Sequence, residues 1–197
     1  MGASGLVLHL GKRFSDDDRE SVEHIAEAAS RAAKIAGPGV PPLLLENTAG
    51  AGRQFGGTVA EMTAALVAVR ERGVTAGLCI DTCHALAGGI DLRTEADWSR
   101  TLAEIEGRCG ARAVALVHAN DSKGELGSHR DRHEWIGDGS LGQEAFRAMF
   151  AQVALSDASA VVEMSGVKPF RDEENLRRLR LLRAAASGPG GPGPEPV

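Results

Sequence analysis

Long apolar runs are missing from this chain of 197 residues. No window approaches the roughly 18 uninterrupted apolar residues that would indicate a membrane-spanning helix. The start, MGASGLVLHLGKR, has no basic stretch ahead of its apolar run and so lacks the form of a secretory leader; a cytoplasmic location is the expectation. Cysteine is scarce and odd in number. Cys79, Cys83 and Cys109 read as free thiols in a reducing compartment, two of them buried in or beside an apolar run. Metal ligation by Cys79 and Cys83 is the lesser reading, because no second Cys pair accompanies them. A basic excess is also absent: 22 Lys and Arg against 27 Asp and Glu leave a net charge of −5. Charge alone therefore weighs against a nucleic-acid partner. Three divalent ions would change that locally, since −5 plus 6 gives +1, with the positive charge gathered in one cleft.

What is present is an ordinary globular composition, 43% apolar and 25% charged, in a length that suits one domain with a real core. Five apolar runs recur, at Leu6 to Leu10, Leu43 to Glu46, Ala76 to Asp81, Val114 to His118 and Ala160 to Glu163. Helical patterns follow them. The first begins with Ser15 as N-cap and closes at Gly37-Pro38. The second spans about Gly57 to Arg72, the third Thr94 to Cys109, and the fourth Gly142 to about Val153. The fifth, PFRDEENLRRLRLLRAAA, carries acids early and arginines late, matching the helix dipole. Continuously apolar strands alternating with amphipathic helices predict a parallel sheet covered by helices, an α/β fold. Residues 1–186 are read as one domain. Residues 187–197, SGPGGPGPEPV, are too rich in Gly and Pro to pack and are expected to be disordered.

The positions of the polar residues decide between a (β/α)8 barrel and a doubly wound sheet. His9, Glu46, Asp81, His118 and Glu163 each fall at the C-terminal end of one of the five strands. In a barrel those ends converge on one face, where the active site is built. No GxGxxG follows any strand, which removes the phosphate-binding signature of the doubly wound alternative. The run VHANDSKGELGSHRDRHEWIGDG, residues 117–139, adds three histidines to a polar, irregular stretch. Within it Asp131 and His133 stand two apart, so an extended backbone points both the same way. A carboxylate beside an imidazole suits a borderline divalent metal such as zinc. In CIDTCHALAGGIDL, His84 lies three residues from Asp81 and can face a different position, so one segment can serve two metals. In LLLENTAGAG, Gly50 and Gly52 let the backbone approach a phosphate. His24 and His129 are read as solvated.

The chain resembles endonuclease IV, the metal-dependent apurinic/apyrimidinic endonuclease family. The resemblance rests on His9, ENTAGAG, IDTCHALAGGIDL, HANDSKGELGSHRDRHEWIGDG and the Glu163 strand, in order from about residue 5 to residue 165. It implies a TIM barrel with three zinc ions that cuts DNA on the 5′ side of an abasic site, leaving a 3′-hydroxyl, as a monomer when complete. It implies that Glu46 bridges the first and second metals and that His9 serves the first. Asp81, His118 and Glu163 would hold the second, and His84, Asp131 and His133 the third. Glu163 and Glu46 are then the catalytic candidates, and Lys123, Arg130 and Arg132 the candidates for phosphate contacts with double-stranded DNA.

Three departures from the family pattern qualify this expectation. A further histidine ligand on an earlier strand has no counterpart, and HLGKR stands where the family commonly has HPGSH. Five βα units are also present where a closed barrel needs eight. The chain is therefore expected to hold about the last five units of a barrel, with little or no cleavage of its own. Two rivals stand beside the nuclease. One is a sugar isomerase or epimerase of the same barrel superfamily, which would have no use for His84, Asp131 and His133 as a third metal site. The other is a non-catalytic metal-binding remnant.

Overall fold

A computed structural model of the protein describes residues 2–163 and 170–186. Five parallel strands form one sheet in sequence order: β1 (Leu6–His9), β2 (Leu43–Glu46), β3 (Ala76–Asp81), β4 (Val114–His118) and, at the far edge, β7 (Ser159–Val161). The helices are α1 (Asp18–Ala36), α2 (Val59–Glu71), α3 (Thr82–Gly88), α4 (Glu95–Cys109), α5 (Gly142–Phe150) and α6 (Phe170–Ala186). A two-stranded antiparallel ribbon, β5 (Asp121–Ser122) with β6 (His133–Glu134), closes the loop after β4. The core sits where β2, β3 and β4 meet the helices, around Leu45, Leu66, Leu78, Trp98, Ile105 and Phe146.

The five strands and their parallel order match the sequence reading, with differences at the ends that have local causes. The cap of α1 is Asp17, which accepts the Arg19 N–H at 2.9 Å, while Ser15 Oγ turns to the Asp17 N–H at 3.1 Å. Helix α2 starts at Val59 because Thr58 caps it and Glu61, three residues on, reaches back to the Gly56 and Gly57 N–H groups at 2.9 Å each. The fourth predicted helix stops at Phe150, and Val153–Leu155 form a separate 3-10 turn. The last strand ends at Val161, two residues short of Glu163. The 187–197 tail lies outside the described residues.

Register places the polar strand ends. His9 pairs level with Glu46, and Glu46 with Cys79, so β3 runs two residues beyond β2 before it ends at Asp81. A bulge at Leu78–Cys79 in the β3–β4 pairing then brings Asp81 level with His118. The two edge strands are open. Leu6 and Leu8 of β1 are 58% and 42% exposed, and Val161 of β7 is 39% exposed.

Candidate metal centre

At the C-terminal rim of the sheet, Glu46 forms a hub. It is 2% exposed, and its Oε1 lies 2.9 Å from His118 Nδ1 and 3.4 Å from His84 Nδ1, while Oε2 lies 2.9 Å from His9 Nε2. His118 Nδ1 is also 3.0 Å from Glu163 Oε2. On the other side of His84, Nε2 faces Asp131 Oδ2 at 3.3 Å, and Asp131 Oδ1 faces His133 Nε2 at 3.4 Å. All eight metal candidates read from the sequence therefore meet in one cluster. Among the described residues, their ligand atoms form three groups with internal spacings within 4.8 Å: His9–Glu46–His84, Glu46–Asp81–His118–Glu163 and His84–Asp131–His133.

Local folding explains how each side chain arrives. Helix α3 starts directly from β3, with Asp81 as its N-cap accepting the His84 N–H at 2.7 Å; this places His84 one helical turn beyond Asp81. The ribbon β5–β6 brings His133 back over β4 by pairing it with Ser122. Asp121, fully buried, ties that ribbon to the next turn. Its carboxylate accepts the N–H groups of Ser122, Gly137, Gly139, Leu141 and Gly142 at 2.8 to 3.3 Å. Asp121→Ala would leave these donors without an acceptor, so urea unfolding should show a loss of about 3–5 kcal/mol.

The imidazoles and carboxylates of the site set one another's protonation. Burial alone would push Glu46 up, but hydrogen bonds from His118, His84 and His9 outweigh it and hold the carboxyl well below the usual range. Burial works against a proton on His84, yet Asp131 and Glu46 override it and push the ring up to about 11. The Glu46 hydrogen bond raises His9, and neighbouring carboxylates raise His118 and His133 in spite of burial. Asp131 is held below the usual carboxylate range by the His133 and His84 rings. Burial pushes Asp81 up.

The residues fit a metal. His133 Nε2 is buried without a hydrogen bond, although it faces Asp131 and, at 3.9 Å, Asp81 Oδ2. A buried ring nitrogen beside two carboxylate oxygens and hydrogen-bonded to neither is an arrangement a central cation would satisfy. Cys79 and Cys83 are buried, and burial pushes both thiols up, Cys83 to about 11, which agrees with their reading as free thiols.

A family model described as a xylose isomerase-like TIM barrel matches residues 1–185. The chain belongs to this family. Among its relatives there, "Probable endonuclease 4" of Methanoculleus marisnigri is 36% identical over 187 residues, 94% of this chain and 65% of that protein. "Apurinic-apyrimidinic endonuclease 1" of Schizosaccharomyces pombe is 32% identical and is matched over 95% of this chain and 54% of its own length. The crystal structure of endonuclease IV from Thermus thermophilus superposes with a TM-score of 0.75 at 30% identity, over 93% of this chain and 63% of that one. The resemblance to endonuclease IV read from the motifs is thus borne out, and the chain spans 54% to 65% of the length of these relatives. The position of the cluster agrees with the family fold, since barrels of this kind gather their chemistry at the C-terminal ends of several strands.

Three phosphate candidates, Lys123, Arg130 and Arg132, stay out of the cluster and are exposed on the loop after β4. Lys123 Nζ lies 3.9 Å from Glu134, and Arg132 donates to the carbonyl of Asp131. His24 is exposed as expected and stacks on Phe14. His129 is exposed, as read, and its ring also makes a contact that the sequence did not reveal. Its Nδ1 lies 2.9 Å from the Ala49 carbonyl, and its backbone adopts a positive φ of 53°, so it pins the loop after β4 to the loop after β2. Sequence reasoning also missed Asn47 and Asn120. Both are buried amides that follow a strand-end ligand by one and two residues, and that adjacency was the available signal.

Proposed function

We propose that this chain carries the metal-binding part of a zinc-dependent phosphodiester hydrolase of DNA base-excision repair, acting in the cytoplasm on double-stranded DNA at abasic sites. Cleavage would fall 5′ to the lesion and leave a 3′-hydroxyl. The observation that carries this reading is the shared hub. Glu46 joins two ligand groups through one carboxylate, while His84, Asp131 and His133 form a third beside them. The endonuclease relatives named above support the substrate class.

Zinc ions held by these groups would supply Lewis acidity to a phosphodiester and make water a nucleophile near neutral pH. The chain's own residues would do the rest. Glu46, enclosed and held ionised by three imidazoles, fixes the spacing of the groups. Glu163 has a 48% exposed side chain beside His118, at the rim, where it can orient an attacking water and accept its proton. Lys123, Arg130 and Arg132 would meet backbone phosphates and position the duplex without reading its sequence. The third ligand group weighs against the sugar isomerase, which would need only one or two metals. No helix among the described residues is long and apolar enough to cross a membrane, and a DNA substrate needs none.

A duplex with a single tetrahydrofuran abasic analogue tests the proposal. Zinc-loaded protein completed to the length of its relatives should cut it once, 5′ to the lesion, with undamaged duplex left intact and with EDTA stopping the reaction, while the 197-residue chain alone should cut it little or not at all. Glu163→Gln should slow incision at least about 100-fold with a modest effect on binding, as expected for loss of a group acting on the nucleophile. Equal cutting of damaged and undamaged DNA would overturn the abasic-site reading. Turnover of a free ketose or aldose would favour the isomerase. Tight zinc and duplex binding with no incision even by the completed protein would mark a non-catalytic metal-binding protein.

A further inference from the structure

Asp81 is held through both its backbone and its carboxylate. Asn47 grips its backbone from both sides, donating to the Asp81 carbonyl at 3.0 Å and accepting its N–H at 2.7 Å. One side-chain oxygen caps helix α3. The other, Oδ2, accepts the Asn120 Nδ2–H at 2.6 Å. Asn120 is completely buried, and its remaining side-chain atom is also committed, with Oδ1 accepting the Glu163 N–H at 2.8 Å. The Asn120 backbone is locked in turn by the Thr82 hydroxyl, which accepts its N–H at 2.9 Å and donates to its carbonyl at 2.6 Å.

Only one orientation of the Asn120 amide satisfies these neighbours. The NH2 must face the carboxylate and the oxygen must face the amide N–H; the reverse would set like against like on both sides. Aspartate, alanine or serine at this position could not serve both at once. Both side-chain bonds of Asn120 go to residues that carry candidate metal ligands, and neither goes to the apolar core. We propose that Asn120 is a positioning residue of the centre. Its single amide sets the rotamer of Asp81 from β3 and the placement of Glu163 beyond β7, so two ligands of the Glu46–Asp81–His118–Glu163 group are fixed together. This inference rests on the metal-centre reading given above.

The test uses the full chain with Zn2+ as the probe. Zinc per chain would be measured by elemental analysis and affinity by competition with a chromophoric chelator, with circular dichroism and thermal midpoints recorded in EDTA. N120D keeps the acceptor for the Glu163 N–H but loses the donor to Asp81 and places a like charge beside it; N120A loses both bonds. Under conditions that saturate the parent, N120D should hold one equivalent less, or hold it about 10- to 100-fold more weakly, with the remaining zinc unchanged, the size expected when a partner of a metal ligand is removed. N120A should do the same if it folds. A merely structural role would instead lower the thermal midpoint in EDTA while leaving zinc affinity per folded molecule as in the parent, and that result would overturn the inference. Failure of both variants to fold would likewise make Asn120 a folding residue and overturn it. A parent chain that binds no zinc would bring down the metal-centre reading itself, whereas zinc binding unchanged in N120D and N120A would remove the Asn120 inference alone.

Discussion

Glu46→Ala should abolish zinc binding at two of the three ligand groups and with it any hydrolysis. The carboxylate is the one group common to the His9–Glu46–His84 and Glu46–Asp81–His118–Glu163 clusters. Its removal also takes one counter-charge from buried His84 and His118, which keep Asp131 and Glu163 respectively. In the variant their pKa values should fall relative to the parent, as NMR titration of the histidines would show. Loss of one partner from a buried charged cluster costs about 3–5 kcal/mol, so unfolding of the metal-free variant near pH 5.5 should be easier by that amount. The pH dependence follows from the same shifts. The depressed Glu46 contributes stability that is present above its ordinary 4.5 and is lost as pH falls through its folded value. The raised histidines contribute stability that is present below 6.5 and is lost as pH rises through their folded values. As far as this cluster decides, the metal-free chain is therefore most stable between these two limits. Zinc needs the imidazoles without their protons, so its added stabilisation should grow as pH rises. In the parent, thermal midpoints with and without EDTA should diverge above pH 6.5; in Glu46→Ala the two curves should lie closer together, separated only by zinc at the His84–Asp131–His133 group. A Glu46→Ala protein that retains the parent's zinc would sink the hub.

The second large effect concerns the edges of the sheet. Among the described residues, strands β1 and β7 each have a parallel partner on one side only, and Leu6, Leu8 and Val161 are exposed on them. Unpaired strand edges bearing apolar side chains recruit other edges. The 197-residue polypeptide, of 20.5 kDa, should therefore sediment above its monomer mass in a concentration-dependent way. Leu8→Lys, which puts a charge on the β1 edge, should shift the distribution toward monomer without changing zinc content. A monodisperse 20.5 kDa species at high concentration would show that these edges are shielded.

The parts of this protein that were legible in its sequence are those written in local pattern. Apolar runs ending in His, Asp or Glu indicated the strands, their parallel arrangement and five of the eight ligand candidates, because burial and strand-end position are both functions of nearby residues; His84, Asp131 and His133 came from the motifs that follow the strands. Helix α3 escaped notice because TCHALAG begins directly after the last residue of β3, with no loop to announce it. The β5–β6 ribbon is only two residues on each side and is defined by Asp121 binding a turn 15 or more residues away, a distance at which hydrophobic periodicity carries no information. Asn47 and Asn120 find their partners 34, 39 and 43 residues away. A neutral amide in a polar loop looks the same on paper whether solvent or a carboxylate receives its hydrogens. Only the register of three strands distinguishes them.

All the candidate ligands stand at one rim of the sheet, while the opposite rim, where Leu6, Leu43 and Ala76 begin their strands, has none. A cation bound there acts as a clasp across chain segments that are otherwise joined only through the sheet. Its binding free energy is then spent against openings that separate those segments, about 2.7 kcal/mol when free metal is at 100 times its dissociation constant. Amide hydrogen exchange should register this asymmetrically. Amides at the clasped rim, such as those of Asp81, His84 and Glu163, should slow on zinc addition, while those at the far rim that exchange through local fraying keep their rates. The strands would then open like the pages of a book bound along one edge.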